Sequence, residues 1–323
     1  MMPKLSKAIA CCGALLAICL IAPSFALGGD FKSFRVPTDN SQPRQITLGS
    51  DGSMWFTESD FDVSQIGRVD ARGNITEFVV PTPFSQPSDI VSGPDGALWF
   101  TEPSGFPFGI GRVTTAGEFT EFGLDPVGSL TPNGIASGPD GNLWFTEANR
   151  NEIGKLTPSG IFTFYAIPTL DAGPLGITVG PDGALWFSEF QGNKIGRIDT
   201  SGNITEYGPA IGPGRITTGP DGNLWFVEPF NNKIGRITLA GVITEFPLAI
   251  AFSQPRDIVA GPDGNLWFTQ FNTGMLANIT TDGIVTEVQR VRSGPWGLGR
   301  GPDNTIWITQ MSGNRVARFA VTP

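Results

Sequence analysis

The sequence predicts an all-β protein: a seven-bladed β-propeller with four-stranded blades, its ring closed by the N-terminal strand. The first observation behind this is a ten-residue repeat. GPDGNLWFVE (219–228) returns as GPDGALWFTE (93–102), GPDGNLWFTE (138–147), GPDGALWFSE (180–189) and GPDGNLWFTQ (261–270), and more loosely as GSDGSMWFTE (49–58) and GPDNTIWITQ (301–310). The seven copies carry Trp55, Trp99, Trp144, Trp186, Trp225, Trp267 and Trp307, spaced 39 to 45 residues apart. A period near forty is the mark of a propeller array. The second observation is that no window shows a 3.6-residue apolar period, so almost no helix is expected. The third concerns the chain ends. The last repeat stops after RVARF (315–319) without an outer strand, and FKSFRVP (31–37) has the pattern of the outer strands elsewhere. Pairing the two closes the ring and leaves no exposed edge.

One repeat shows the reasoning for each element. SQPRDIVAG (253–261) contains the innermost strand. Pro262-Asp263-Gly264 is a tight turn, in which proline sets φ and glycine takes the left-handed position. NLWFTQ (265–270) is apolar on both faces, as a strand packed between two blades must be. The third strand is clearest as KIGRID (194–199) and KIGRIT (233–238), and the fourth as NITEF (74–78), NITEY (203–207) and VITEF (242–246). Threonine and glutamate in that fourth strand suggest a solvated outer edge. The 43 glycines and 27 prolines recur at fixed places in the repeat, so they mark turns and not disorder. Three Asn-Ile-Thr triplets, at Asn74, Asn203 and Asn278, fall at repeat positions and read as turn and strand residues.

Residues 1–26 read as a secretory signal peptide. Lys4 and Lys7 precede an apolar run from Ala8 to Ala22, and Ser24-Phe25-Ala26 is a small-x-small cleavage site. The run is short for a membrane span, which leaves an uncleaved anchor as the alternative. A secreted or periplasmic protein of residues 27–323, forming one domain, is therefore expected. All three cysteines, Cys11, Cys12 and Cys19, lie in the leader, so the mature chain has no thiol for a disulfide, metal or nucleophile. The chain has no histidine. Loss of Lys4 and Lys7 takes the net charge from −9 to −11. That acidity and the absence of a basic run argue against nucleic acid and anionic membranes. A monomer with no membrane span after cleavage is expected.

The repeat GPDGxLWFTE…NKIGRIT…GxITEF resembles that of the virginiamycin B lyase (streptogramin lyase) family, from Phe31 to Phe319. The resemblance implies a propeller that opens a streptogramin lactone by elimination with Mg²⁺. It also implies catalytic histidines in Pro-His-x-Ile motifs before the innermost strands of the last two blades. Those motifs here read Pro255-Arg256-Asp257-Ile258 and Pro295-Trp296-Gly297-Leu298. Gly294 stands at an implied metal-ligand position, and the implied acid falls near Gln310 and Met311. A guanidinium keeps its proton at neutral pH, and an indole has no basic nitrogen, so neither replaces a histidine base. Mg²⁺ rests on the resemblance alone, and no catalytic residue or metal ligand is assigned.

By the same analogy, the residue after each motif proline faces a funnel on one face of the ring. The series is Arg44, Ser88, Asn133, Leu175, Gly214, Arg256 and Trp296. It varies within a repeating framework, as function grafted on a scaffold does, and as drifting loops also do. Arg44, Asn133, Arg256 and Trp296 are the expected ligand-binding residues: arginines for an anionic group, Trp296 as a flat face for a sugar or aromatic ring. The second strands end in Glu58, Glu102, Glu147, Glu189 and Glu228, then Gln270 and Gln310. These carboxylates suit either a hard cation or pairing with Arg68, Arg112, Lys155, Arg197 and Arg236 in the third strands. Phe61, Phe106, Phe108, Phe190, Phe230 and Phe271 follow the second strands and form a binding patch if exposed together. Two functions stay open: a protein that binds a small-molecule or glycan ligand, and a metal-assisted lyase or lactone hydrolase that uses carboxylates.

Overall fold

The computed structural model describes residues 30–105, 108–125 and 130–322. The leader with its cysteines, and Phe106, lie outside the described residues. Seven four-stranded antiparallel sheets follow one another in the chain, and one short 3₁₀ turn, Met311–Gly313, is the only helical element among the described residues. Blade one is built from Pro43–Leu48, Met54–Glu58, Gln65–Val69 and Ile75–Val79, in that order from the axis outward. Blades two to six repeat this pattern. Blade seven takes Pro295–Arg300, Thr305–Gln310 and Arg315–Ala320 from the C-terminus and Phe31–Arg35 from the N-terminus. The register runs from Phe31 opposite Phe319 to Arg35 opposite Arg315, which is the closure the chain ends predict.

The tryptophan of each repeat explains why the blades stack. Trp55, fully buried, packs with Ile90, Leu98 and Phe100 of the next blade, and Trp144 likewise with Leu185 and Phe187. The core is therefore a set of apolar layers between blades. Six of the indoles also lie on the outer-strand aromatic of their own blade, with centroids 5.3 Å apart for Trp55–Phe78 and 5.4 Å for Trp225–Phe246, whereas Trp267 meets Phe319 of blade seven. In six blades the indole N–H donates to the aspartate of the preceding turn, at 3.0 Å from Trp225 to Asp221, and Trp307 donates to Thr305 instead. One aspartate thus shapes the turn and satisfies the buried indole. Gly264, at φ +78°, holds the left-handed position the turn demands. In two sequons, Asn74 and Asn203 donate to Asp70 and Asp199 in the bottom hairpins, as turn residues do.

Two expectations are corrected. The third-strand arginines do not pair with the second-strand glutamates. Register sets Arg68 opposite Trp55 and Gln65 opposite Glu58, so arginine and glutamate sit at opposite ends of the blade. Arg112 and Arg197 instead bind the turn aspartates Asp95 and Asp182 at 2.6 and 2.7 Å, and Lys155 stacks over Trp144. The outer-strand glutamates are not solvated edge residues either. Glu77 and Glu121 accept backbone N–H groups of Thr38 and Thr82 from the linkers that lead into their own blades, both at 2.9 Å.

Candidate functional site

A repeated β-bulge aims the series residues at the axis. In blades one, three, four, six and seven the first strand pairs its proline with the end of the second strand. The register then shifts before pairing resumes, as between Pro43 and Ile46. The two residues inside each bulge leave the ladder, and bulges re-aim side chains in this way. The hydroxyl in Trp-Phe-Thr fixes each bulge. Thr269 Oγ1 accepts the N–H of Asp257 at 3.2 Å and donates to the carbonyl of Trp296 in the next blade at 2.9 Å. Thr309 does the same for Gly297 and the carbonyl of Arg44, across the ring closure. Blade five has Val227 there and replaces the hydroxyl with backbone pairs to Gly214 and Arg215.

All seven series residues, Arg44, Ser88, Asn133, Leu175, Gly214, Arg256 and Trp296, line one central cavity of about 290 Å³. Gln45, Asp89, Phe190, Arg215, Pro229 and Phe230 also line it. Asn133 points its amide at the carbonyl of Thr131 over a long 3.5 Å contact. Trp296 does not offer a bare face. The Arg256 guanidinium lies over its ring at 4.6 Å, that of Arg44 at 5.8 Å, and Phe271 meets its edge at 5.6 Å. The indole is a seat for two cations. Among the described residues no carboxylate lies within ion-pair distance of either arginine, and the Nε of each is buried without an acceptor. Burial pushes both guanidiniums below their usual pKa, yet so strong a base keeps its charge.

A third arginine, which the sequence reading did not single out, is compensated in full. Arg215 reaches from blade five to Asp89 of blade two, with bonds of 2.7 and 2.6 Å, and its Nε lies 3.6 Å from Asp257 of blade six. Each aspartate also accepts two backbone N–H groups: Ile90 and Ile135 for Asp89, Ile258 and Leu298 for Asp257. Burial opposes the charge on Arg215, but Asp89 and Asp257 outweigh it and raise its pKa. Burial raises that of Asp257. Asp89 and Asp257 follow Ser88 and Arg256 directly, so acids next to two series residues were the available signal. Arg215 follows Gly214 in the same way, but the pairing across 126 positions has no signal in the sequence.

The second-strand glutamates do not converge on the funnel. Glu58, Glu102, Glu147, Glu189 and Glu228 are buried at the second-strand ends, each in its own blade. No cluster of three or more acidic residues able to hold a metal occurs among the described residues. Burial, and then the neighbouring outer-strand glutamate, pushes Glu58, Glu102 and Glu189 up to about 8. Blade six shows the same junction with an amide: Gln270 Nε2 donates to Glu287 at 2.8 Å. The Mg²⁺ implied by the family resemblance also has no side-chain ligand at Gly294, where the resemblance places one, and Arg256 and Trp296 put a cation and an indole at the implied histidine positions. Of the second-strand aromatics, Phe61 and Phe230 are exposed, Phe190 is half-buried and Phe271 packs on Trp296. The side chain of Phe108 lies outside the described residues.

Fold and site together define a seven-bladed propeller whose inner-strand bulges surround a funnel. The chain belongs to the virginiamycin B lyase family, whose model matches residues 21–209 and 208–322. It is similar to a solved streptogramin B lyase at 36% identity and a TM-score of 0.84, over 91% of this chain and 98% of that one. Selenomethionine-substituted virginiamycin B lyase from Staphylococcus aureus gives 36% identity and 0.84, over 91% and 100%. A catalytically inactive histidine-to-alanine variant of the Staphylococcus aureus enzyme, solved with quinupristin, gives 37% and 0.81 over the same shares. No curated protein matches the chain.

Proposed function

We propose that this protein is an exported binding protein of the virginiamycin B lyase family, without that family's chemistry, which captures a small acidic molecule or acidic sugar in the funnel. The observation that carries this reading is the pair Arg44 and Arg256: two uncompensated cations on one indole, at the mouth of the central cavity, in a strongly acidic chain. A guanidinium with no partner in the fold is ready to hold a carboxylate or phosphate through two hydrogen bonds. Asn133 and Ser88 supply neutral polar groups at the same mouth. The lack of any histidine supports the loss of lyase activity, since a single histidine-to-alanine change accompanies inactivity in the Staphylococcus aureus relative.

Calorimetric titration with benzoate, glucuronate and inorganic phosphate tests this. A saturable site is expected for at least one anion, weakened by about 1–3 kcal/mol in Arg256→Ala and in Trp296→Ala, the size of an anchor residue. Anion binding that both variants leave unchanged, or no binding by the wild type, sinks the reading. A type B streptogramin is expected to stay intact with or without Mg²⁺, and turnover well above background would refute the loss of chemistry.

A further inference from the structure

One side of the funnel carries unpaired cations, and the other, apart from Arg215 with its two aspartates, is apolar. Blades six, seven and one contribute Arg256, Trp296 and Arg44, whereas blades four and five contribute Leu175, Phe190, Pro229 and Phe230. In a ring of seven, the junction of blades four and five lies directly across the axis from blade one and Arg44. Gly214, the series residue of blade five, has no side chain to close that side. A second cavity opens outward there, and Phe190 and Phe230 line both cavities, so the two adjoin at these rings. Its walls add Ile211, Gln191, Asn193 and Asn231. Phe190 and Phe230 meet edge to face at 5.8 Å, yet Phe230 remains 73% exposed and Ile211 53% exposed. Exposed apolar groups gathered at a cavity mouth mark a ligand surface.

The geometry points to a second subsite in this notch, between blades four and five, that takes the apolar end of the ligand. The ligand class is an elongated amphiphilic acid: one anionic group on Arg44 and Arg256, and an aromatic or apolar ring against Phe190 and Phe230. Trp296 cannot receive that ring while two guanidiniums occupy it, so ring and anion are held on opposite walls. The inference rests on the funnel reading above. The amides of Gln191 and Asn231 edge the notch, and Asn193 is engaged with the N–H of Gly212 at 2.9 Å, so it holds the loop in place.

The experiment is a homologous series of ω-phenylalkanoates, from phenylacetate to 8-phenyloctanoate, titrated beside benzoate. Affinity is expected to rise along the series in the wild type. In Phe230→Ala the rise is expected to vanish, with about tenfold weaker binding of the best member and benzoate unchanged. Arg256→Ala is expected to weaken every member equally. Phe230 is exposed, so its variant keeps the wild-type melting temperature, and Phe190→Ala provides a second test of the same wall. Benzoate binding with no chain-length dependence, or a dependence that survives both phenylalanine variants, overturns the subsite and leaves the funnel reading standing. Failure of benzoate and the whole series to bind overturns the subsite, and failure of glucuronate and phosphate as well overturns both.

Discussion

Arg215 and the pair Arg44 and Arg256 share one cavity and one residue type, yet their surroundings differ in the respect that matters. Arg215 has two buried aspartates, each anchored by two backbone N–H groups. Arg44 and Arg256 have an indole and no acid. The first set is closed on itself and ties blades two, five and six across the axis. The second is open. Buried acids offer the complementary case: Glu58 and Glu189 find no donor for either oxygen among the described residues. A carboxyl in that position can take up a proton, whereas a guanidinium cannot give one up. An unpartnered buried acid can therefore be resolved inside the fold by a proton, whereas an unpartnered arginine keeps its charge.

The comparison can be broken most easily at the triad. Arg215→Leu strips the cation from two buried carboxylates and is expected to lower stability by about 3–5 kcal/mol in denaturant unfolding. A loss below about 1 kcal/mol would show that the triad is not a structural tie. The acids come next. The folded chain holds protons on Glu58, Glu102 and Glu189 up to about pH 8, and the ordinary glutamate value is 4.5. Their contribution is therefore complete below pH 4.5 and declines as pH rises toward 8. Melting temperature is expected to fall across that window, and the triple change of Glu58, Glu102 and Glu189 to Gln should flatten the profile. Each replacement should recover about 1–3 kcal/mol at pH 8, the cost of a buried charge without a partner. Blade six already carries the amide form. A profile unchanged by the glutamines would show that these carboxyls are ionised throughout.

A smaller effect is expected where the comparison says nothing structural is lost. Arg44→Ala and Arg256→Ala remove cations whose contacts are the rings of Trp296 and, for Arg256, Phe271, so unfolding free energy should stay within about 1 kcal/mol of wild type while anion affinity falls. A stability loss as large as that of Arg215→Leu would make them core residues and move the site elsewhere. The smallest effect belongs to Arg35, paired with Asp39 at 2.6 Å on open surface. Arg35→Ala is expected to leave the melting temperature within about 2 °C, because an exposed pair exchanges one solvated state for another. A clear drop there would show that surface pairs also carry weight in this ring.

What the sequence determined by itself was the repeating part of the molecule. Blade number, strand order, the turn with its aspartate and glycine, and closure through residues 31–35 follow from local patterns. Each copy confirms the others, and burial between blades demands the same residues every time. The seven positions after the motif prolines were also legible, because they vary where their neighbours do not, and one cavity gathers them all. Only the tertiary structure decided what those residues meet. The triad joins positions 89, 215 and 257, which hold the same place after the motif proline in three different blades, but nothing in the repeat says that these three meet across the axis. Whether Trp296 was bare or covered depended on Arg44 and Arg256 reaching it from the two adjacent blades. The pairing of Arg68 with its blade's tryptophan and turn aspartate, and not with Glu58, was set by register along antiparallel strands. Repeats specify a scaffold locally, whereas charge partners across a closed ring are chosen by three-dimensional proximity, which no single stretch of chain encodes.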